Sequence, residues 1–293
     1  LARVRADNAQ GEFYLTDVVG LATGDGERIA AVAVEDAAEV MGVNTKVELA
    51  EAARCMRTRK LRELMLRGVT VTDPASTYVD VTVTVEHDTV LEPQTHLRGD
   101  TAVGAGCVIG PMTVLTNVKV GNASRIVHSH VEDSVIGSSV RVGPFANIRP
   151  GCKIADGAKI GDFVELKNAQ VGERVSASHL SYIGDAEVGE GTNVGAGTIT
   201  CNYDGFGKHP TIIGAGAFIG SHTTLVAPVT VGEGAMTAAG TVVTCDVPEG
   251  ALAIARVDQS NKDGWAARYR EARQHRRTSR KQRDPGAGDL EHG

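Results

Sequence analysis

The sequence predicts a mainly β chain: a coil of short parallel strands wound from six-residue repeats, preceded by a helix and a small α/β segment. Three observations carry this prediction. Aliphatic residues recur at strict six-residue spacing in Val79, Val85, Leu91, Leu97, Val103, Ile109 and Leu115. After short slips through Val120, Ile126 and Ile136, the register resumes at Val142, Ile148, Ile154, Ile160 and Leu166. It slips again, returns at Val188 and Val194, and runs from Ile213, Ile219, Leu225 and Val231 to Val243. Glycine often follows the aliphatic residue, as in Val103-Gly104, Ile160-Gly161, Val194-Gly195 and Ile219-Gly220. Composition agrees: 35 of 293 residues are Gly, against five Phe, five Tyr and one Trp. Such a chain is built on turns and small aliphatic contacts, not on an aromatic core.

A period of six matches neither a helix at 3.6 nor simple strand alternation. It matches a coil in which each face sends one aliphatic side chain inward and small residues take the corners. Three faces close a coil in 18 residues, and coils stack at ~4.8 Å, so residues 79–254 make roughly ten coils.

The other elements follow in order. Residues 1–45 hold helical and strand-like pieces, such as Glu12 to Thr23 and the apolar run Ile29 to Val34. The chain opens on Leu1 and its first residues read as mid-domain, so an upstream part of the protein is expected. Residues 46–70 form a linker helix, whose broad apolar face carries Val47, Leu49, Ala52, Cys55, Met56, Leu61, Leu64 and Met65. The coil occupies 71–256. Residues 257–293 close the chain, and the Arg-rich stretch after Trp265, with Pro285-Gly286-Ala287-Gly288, reads as a disordered basic tail.

Charge and cysteine content exclude several classes. The net charge is −6, drawn from 30 Lys and Arg against 36 Asp and Glu. Setting aside the eight basic and four acidic residues of 266–293 leaves the preceding body at −10, which argues against nucleic acid as a partner. No apolar run reaches the ~18 residues of a membrane span. Five cysteines without a C-x-x-C pair fit unpaired thiols in a reducing cytoplasm.

Spacing also points to chemistry. Arg149 and Lys167 lie 18 apart, each directly after an inward aliphatic residue, and therefore stack at one corner. Two stacked cations need an anion beside them. A protein carboxylate (Glu165 is a candidate) or a substrate phosphate would serve, and Lys208 could join from a loop. That loop is expected because the six-fold register is lost between Thr200 and Ile213. His179 sits where the register breaks and is the candidate general base among nine histidines. His128 and His130 are spaced as an i, i+2 metal pair, but no third ligand recurs at a fixed spacing. Ser221 and Ala239, again 18 apart and beside glycines, would line a groove for an extended ligand, with Arg256 at its far end.

The stretch His179-Leu180-Ser181-Tyr182-Ile183-Gly184-Asp185-Ala186-Glu187-Val188-Gly189 is followed by Asn193-Val194-Gly195-Ala196-Gly197-Thr198-Ile199-Thr200-Cys201-Asn202-Tyr203-Asp204-Gly205. Together they resemble the bacterial bifunctional N-acetylglucosamine-1-phosphate uridylyltransferase / glucosamine-1-phosphate N-acetyltransferase family of hexapeptide-repeat acyltransferases. Arg149-Pro150-Gly151, Phe163-Val164-Glu165-Leu166-Lys167, Leu225-Val226-Ala227-Pro228-Val229 and the early stretch Asn8 to Asp17 agree. The resemblance covers residues 8–265. It implies a left-handed parallel β-helix that forms a homotrimer with intersubunit sites, preceded by the C-terminal remnant of a nucleotidyltransferase domain.

It also implies roles. His179 would take the proton from the amino group of glucosamine 1-phosphate. Arg149, Lys167 and Lys208 would hold the phosphate, and Tyr182 and Asn193 would orient the sugar. Ala196, Asn202, Tyr203, Ser221, Ala239 and Arg256 would contact acetyl-CoA. Asn44, in Gly42-Val43-Asn44, looks like one Mg2+ ligand of the uridylyltransferase half, a site incomplete in this chain, which alone is expected to lack that activity. Two other readings remain open on sequence: a non-catalytic oligomerisation tail, and an acetyltransferase with another phosphorylated acceptor.

Overall fold

The computed structural model describes residues 2–283, with side chains described as far as residue 277. The chain divides into two compact units, Leu1–Glu132 and Asp133–Gly293.

In the first unit, helix α1 (Asp17–Gly24) and a 3-10 turn (Ala37–Val40) precede helix α2 (Lys46–Leu66). No described residue before Lys60 is buried, and Ile29–Val34 forms no strand. The early segment therefore has no core of its own. Helix α2 contains neither Gly nor Pro and opens on a capping box: Thr45 Oγ1 accepts from the Glu48 N–H at 3.2 Å, and Glu48 accepts from the Thr45 N–H at 2.8 Å. It ends before Gly68, whose φ of 92° only glycine adopts readily. Leu61 and Leu64 are buried in the face toward Thr70–Val71 and Tyr78–Val79, and Arg57 lies over the Tyr78 ring at 4.4 Å. The rest of the expected apolar face is largely uncovered, with Val47 80% exposed and Leu49, Met56 and Met65 also exposed. Two-residue parallel strands such as Val90–Leu91 and Val108–Ile109 then stack, with Leu91, Leu97, Ile109 and Leu115 fully buried.

The second unit is a three-faced parallel β-coil. Its first face holds Arg141–Val142, Lys159–Asp162, Ser176–His179, Asn193–Val194, Phe218–Ile219, Met236–Thr237 and Leu252–Ala253. The second holds Asn147–Ile148, Glu165–Lys167, Tyr182–Gly184, Ile199–Cys201, Thr224–Val226 and Val242–Val243. The third holds Val135–Ile136, Lys153–Ile154, Gln170–Val171, Ala186–Val188, Thr211–Ile213 and Val229–Val231. Each face sends one buried residue inward per coil: Val142, Ile148 and Ile154, then Ile160, Leu166 and Val171, then Ala177, Ile183 and Val188. Backbone bonds join the coils, as from Arg149 N–H to Leu166 O at 2.9 Å. Buried threonines such as Thr198 and Thr223 satisfy corner carbonyls, with Thr198 Oγ1 donating to Gly195 O at 2.7 Å.

The register does not break at His179. Pairings Ile160↔Ala177 and Leu166↔Ile183 show that Ala177 and Thr200 take inward positions where an aliphatic residue was sought. Within this unit every inward step from third to first face, and from first to second, is six residues. All length variation falls in the second-to-third corner. That step is four residues at Val243→Val247, five at Leu166→Val171 and Ile183→Val188, six at Ile148→Ile154 and Leu225→Val231, and thirteen at Thr200→Ile213.

Helix α3 (Trp265–Arg283) stands where composition suggested an unstructured tail. The remaining tail, 284–293, lies outside the described residues. No described helix is long and apolar enough to cross a membrane.

Candidate active site

Two neighbouring corners of the second unit carry the sequence-predicted residues. The first-to-second corner stacks His179, Ala196, Ser221 and Ala239 on successive coils. The register Ala177↔Val194 sets His179 beside Ala196. The His222 N–H donates to Ala196 O at 2.7 Å and the Gly240 N–H to Ser221 O at 2.8 Å. Arg256 donates from its guanidinium to Ala239 O, closing the column. This close stacking requires glycine: a Cβ on Gly195 would lie 2.6 Å from the Ser221 nitrogen. Ala196, Ser221 and Ala239 thus line the column with small side chains.

At the foot of the column, His179 Nδ1 lies 2.9 Å from Asp162 Oδ1. The pairing Asp162↔His179 fixes this contact through the backbone, since the strands Lys159–Asp162 and Ser176–His179 run to the same corner. An ionised carboxylate only accepts, so in the neutral imidazole this contact places the hydrogen on Nδ1 and the lone pair on Nε2. The His179 side chain is 61% exposed and that of Asp162 41% exposed.

The second-to-third corner gathers the cations. Arg149 donates to Glu165 Oε1 at 3.1 Å, so a protein carboxylate partners this guanidinium. Lys167 lies against Lys208 of the loop that follows Thr200. That contact, burial, and the charges of Lys208 and Arg149 lower the Lys167 pKa, with Asp185 opposing. Burial raises the Asp185 pKa, but hydrogen bonds from Asn168 and Asn202 and the charges of Lys208 and Lys167 outweigh it, so the net shift is downward.

The loop is closed by a Tyr203↔Lys208 bridge and by Asp204. Asp204 accepts from the N–H groups of Phe206 and Gly207 at 2.8 and 2.7 Å and from His209 at 2.7 Å. These bonds, that to Gly207 foremost, hold its pKa far below the carboxylate range.

Tyr182 lies on the second face, between the two corners. Three strand residues at ~3.3 Å each separate the corners by about 10 Å. Asn202 is buried, and its amide donates to Asp185 Oδ2 at 2.5 Å and to Tyr182 OH at 3.4 Å. Asn193 is half-buried on the first face between Ser176 and Phe218. Tyr203 stays within the loop, its hydroxyl donating to Gly205 O at 2.7 Å.

Asn44 belongs to the first unit. Its N–H and that of Thr45 bind the Glu48 carboxylate, and among the described residues no three His, Cys, Asp or Glu side chains could hold a metal ion. The described residues alone therefore do not complete a Mg2+ site around Asn44. His130 pairs with Glu132 at 2.9 Å and does not form a metal pair with His128.

Sequence reasoning missed Asp162 and Asp185. Asp162 is 17 residues before His179, not 18, because the coil between them is one residue short at its second-to-third corner.

Comparison with known proteins agrees with the repeat reading. The family described as "Bacterial transferase hexapeptide (six repeats)" matches residues 133–168 and 210–245. The Bifunctional protein GlmU of Brevibacillus brevis is 53% identical over 266 residues, which is 91% of this chain and 58% of that protein. Those of Carboxydothermus hydrogenoformans and Streptomyces avermitilis are 49% and 48% identical, over 90% and 92% of this chain and 59% and 56% of theirs. The chain thus spans somewhat over half the length of the curated relatives it matches.

Proposed function

We propose, for a chain that belongs with the hexapeptide-repeat GlmU proteins along nine-tenths of its length, that it transfers acetyl from acetyl-CoA to the amino group of glucosamine 1-phosphate. One observation carries this reading. A carboxylate-oriented imidazole and a column of small residues share one corner, while the next corner, about 10 Å away, holds two lysines and an arginine.

The chemistry follows from the free lone pair. An ammonium cannot attack a thioester, so the amine must lose a proton, and Nε2 of His179 can take it. The amine nitrogen bonds to the acetyl carbonyl carbon and its proton passes to Nε2. The tetrahedral oxyanion then collapses, the C–S bond breaks, and the thiol of coenzyme A leaves with a proton. Asp162 holds the imidazole in the required tautomer and stabilises the imidazolium. Arg149, Lys167 and Lys208 bind the phosphate, while Tyr182 and Asn193 orient the sugar. Asn202, Tyr203 and the column Ala196, Ser221, Ala239 and Arg256 receive the co-substrate.

The half-exposed dyad lies on an open surface, where a substrate site is usually enclosed. This supports a homotrimer whose sites lie between subunits. Five free cysteines fit a cytoplasmic enzyme. In the longer protein, a uridylyltransferase half using Mg2+ would convert the product to UDP-N-acetylglucosamine, a precursor of peptidoglycan and lipopolysaccharide.

The test is coenzyme A release from acetyl-CoA with glucosamine 1-phosphate, comparing the parent chain with His179→Ala. Turnover falls by about 10²–10⁴-fold with a nearly unchanged melting temperature. A variant that keeps most of its activity removes the base assignment. Equal turnover of unphosphorylated glucosamine removes the phosphate clamp, and no transfer by the parent leaves the oligomerisation-tail reading.

A further inference from the structure

Asp185 belongs to none of the roles described above, yet more of the site converges on it than on any of its neighbours. It stands in the tight five-residue corner after Ile183, at a φ of 48°, directly above Asn168 at 46°. Asn and Asp tolerate this left-handed geometry better than other side-chain-bearing residues. The same geometry puts both side chains on the outer edge of the corner, where Asn168 Nδ2 donates to Asp185 Oδ1 at 2.8 Å. The other carboxylate oxygen receives the Asn202 amide at 2.5 Å.

Asn202 opens the excursion that carries Lys208, and Thr211 ends it. The Thr211 N–H donates to the Asp185 backbone carbonyl at 3.1 Å. The His209 N–H donates to Asn202 O at 2.9 Å and closes the base of the loop. Both ends of the excursion are therefore tied to one residue, and the charges of Lys167 and Lys208 act on its carboxylate.

We infer that Asp185 is a positioning residue that seats the Lys208 loop and holds two mutually repelling lysines together as a phosphate clamp. Like charges this close would swing apart unless a fixed anion lay beside them. Glu165 is committed to Arg149 and leaves this task to Asp185. The Asn202 amide, shared with Tyr182 OH, extends the seating to the sugar side of the site. The clamp part of this inference rests on the proposed function; the loop part does not.

The experiment uses the full chain and three variants: Asp185→Ala, Asp185→Asn and Asn202→Ala. Limited trypsin digestion, read by mass spectrometry, follows cleavage after Lys208 well below the melting temperature. Cleavage there accelerates about tenfold or more in Asp185→Ala and Asn202→Ala, because charge-assisted bonds that close the loop are lost. Asp185→Asn keeps an acceptor for Asn202 but loses the charge, so its cleavage rate falls between those of the parent and Asp185→Ala. In steady-state transfer, Asp185→Ala raises the KM for glucosamine 1-phosphate about tenfold and leaves the KM for acetyl-CoA within about twofold.

Parent-like cleavage after Lys208 in both alanine variants overturns the seating. If Asp185→Ala fails to fold, Asn202→Ala decides alone. Faster cleavage with an unchanged acceptor KM overturns the clamp. A parent chain that transfers no acetyl at all refutes the proposed function, and the digestion still decides the loop.

Discussion

Replacing Asp162 by Asn tests the dyad with little change of shape. The side chain keeps its volume and an oxygen that can still accept from Nδ1, but its charge is gone. What is lost is the carboxylate's attraction for the imidazolium that forms as the proton arrives. Two unit charges about 4 Å apart attract by about 1 kcal/mol in water and about 4 kcal/mol at an effective dielectric of 20. With Asp162 41% and His179 61% exposed, the pair lies near the watery limit. About 1–2 kcal/mol is the resulting expectation, a fall of about 5–30-fold in kcat. Coenzyme A release under saturating substrates reads this directly, and the effect should shrink as salt is added. The KM values should barely move, because the loss is felt only as positive charge develops. Turnover within twofold of the parent would refute the electrostatic role. A loss as deep as that of His179→Ala would show instead that Asp162 is itself the base.

Two further substitutions follow from the same geometry. Gly161→Ala would drive a Cβ into the Ser178 carbonyl, 2.6 Å from its carbon and 2.8 Å from its Cα, directly under the dyad. Stability should fall by about 1–3 kcal/mol or more and turnover should fall with it, read by thermal melting and by transfer assay; an unchanged melting curve would contradict the packing. Lys208→Ala concerns pH. If acceptor phosphate binds protonated Lys167, as proposed, the acceptor KM rises as pH climbs through the lowered Lys167 pKa, earlier than for an ordinary lysine. Removing Lys208, the largest cause of that lowering, should move the rise to higher pH while weakening binding at neutrality, as initial rates across pH would show. A rise that stays in place would mean that Lys167 is not the titrating group.

The coil was legible because its physics is periodic. An inward position every six residues admits only a side chain that fills the prism, and Ile148, Ile160 and Leu166 announce themselves. Ala177 and Thr200 fill the same positions with less bulk, so a search for large aliphatics misses them and sees a break at His179. The vertical column of Ser221 and Ala239 was readable from spacing alone, as both lie in coils of 18 residues. Asp162 and Asp185 were not, because they act across coils of 17 residues, or through side chains aimed by a left-handed corner. The apolar face of α2 was misjudged for another reason. Periodicity reports which residues could be buried together, and only Leu61 and Leu64 meet the strands that follow.

Length variation confined to one corner explains how a rigid repeat can carry a site. The column of Ala196, Ser221 and Ala239 depends on vertical register, and an extra residue between Ala177 and Ile183, or between Val194 and Thr200, would shift the side chains out of it. Those steps hold at six. The second-to-third corner has no such column to preserve, and it can shorten to five by using a left-handed Asn168 or Asp185, or lengthen to thirteen around Asn202 to His209. Shortening exposes polar corner side chains at the coil edge, and lengthening brings a cation back over them. The proposed phosphate clamp thus falls where the coil tolerates irregularity, while the proposed base and the column of small residues fall where it does not. The strand Tyr182–Gly184 lies between the two corners and sets their separation at about 10 Å.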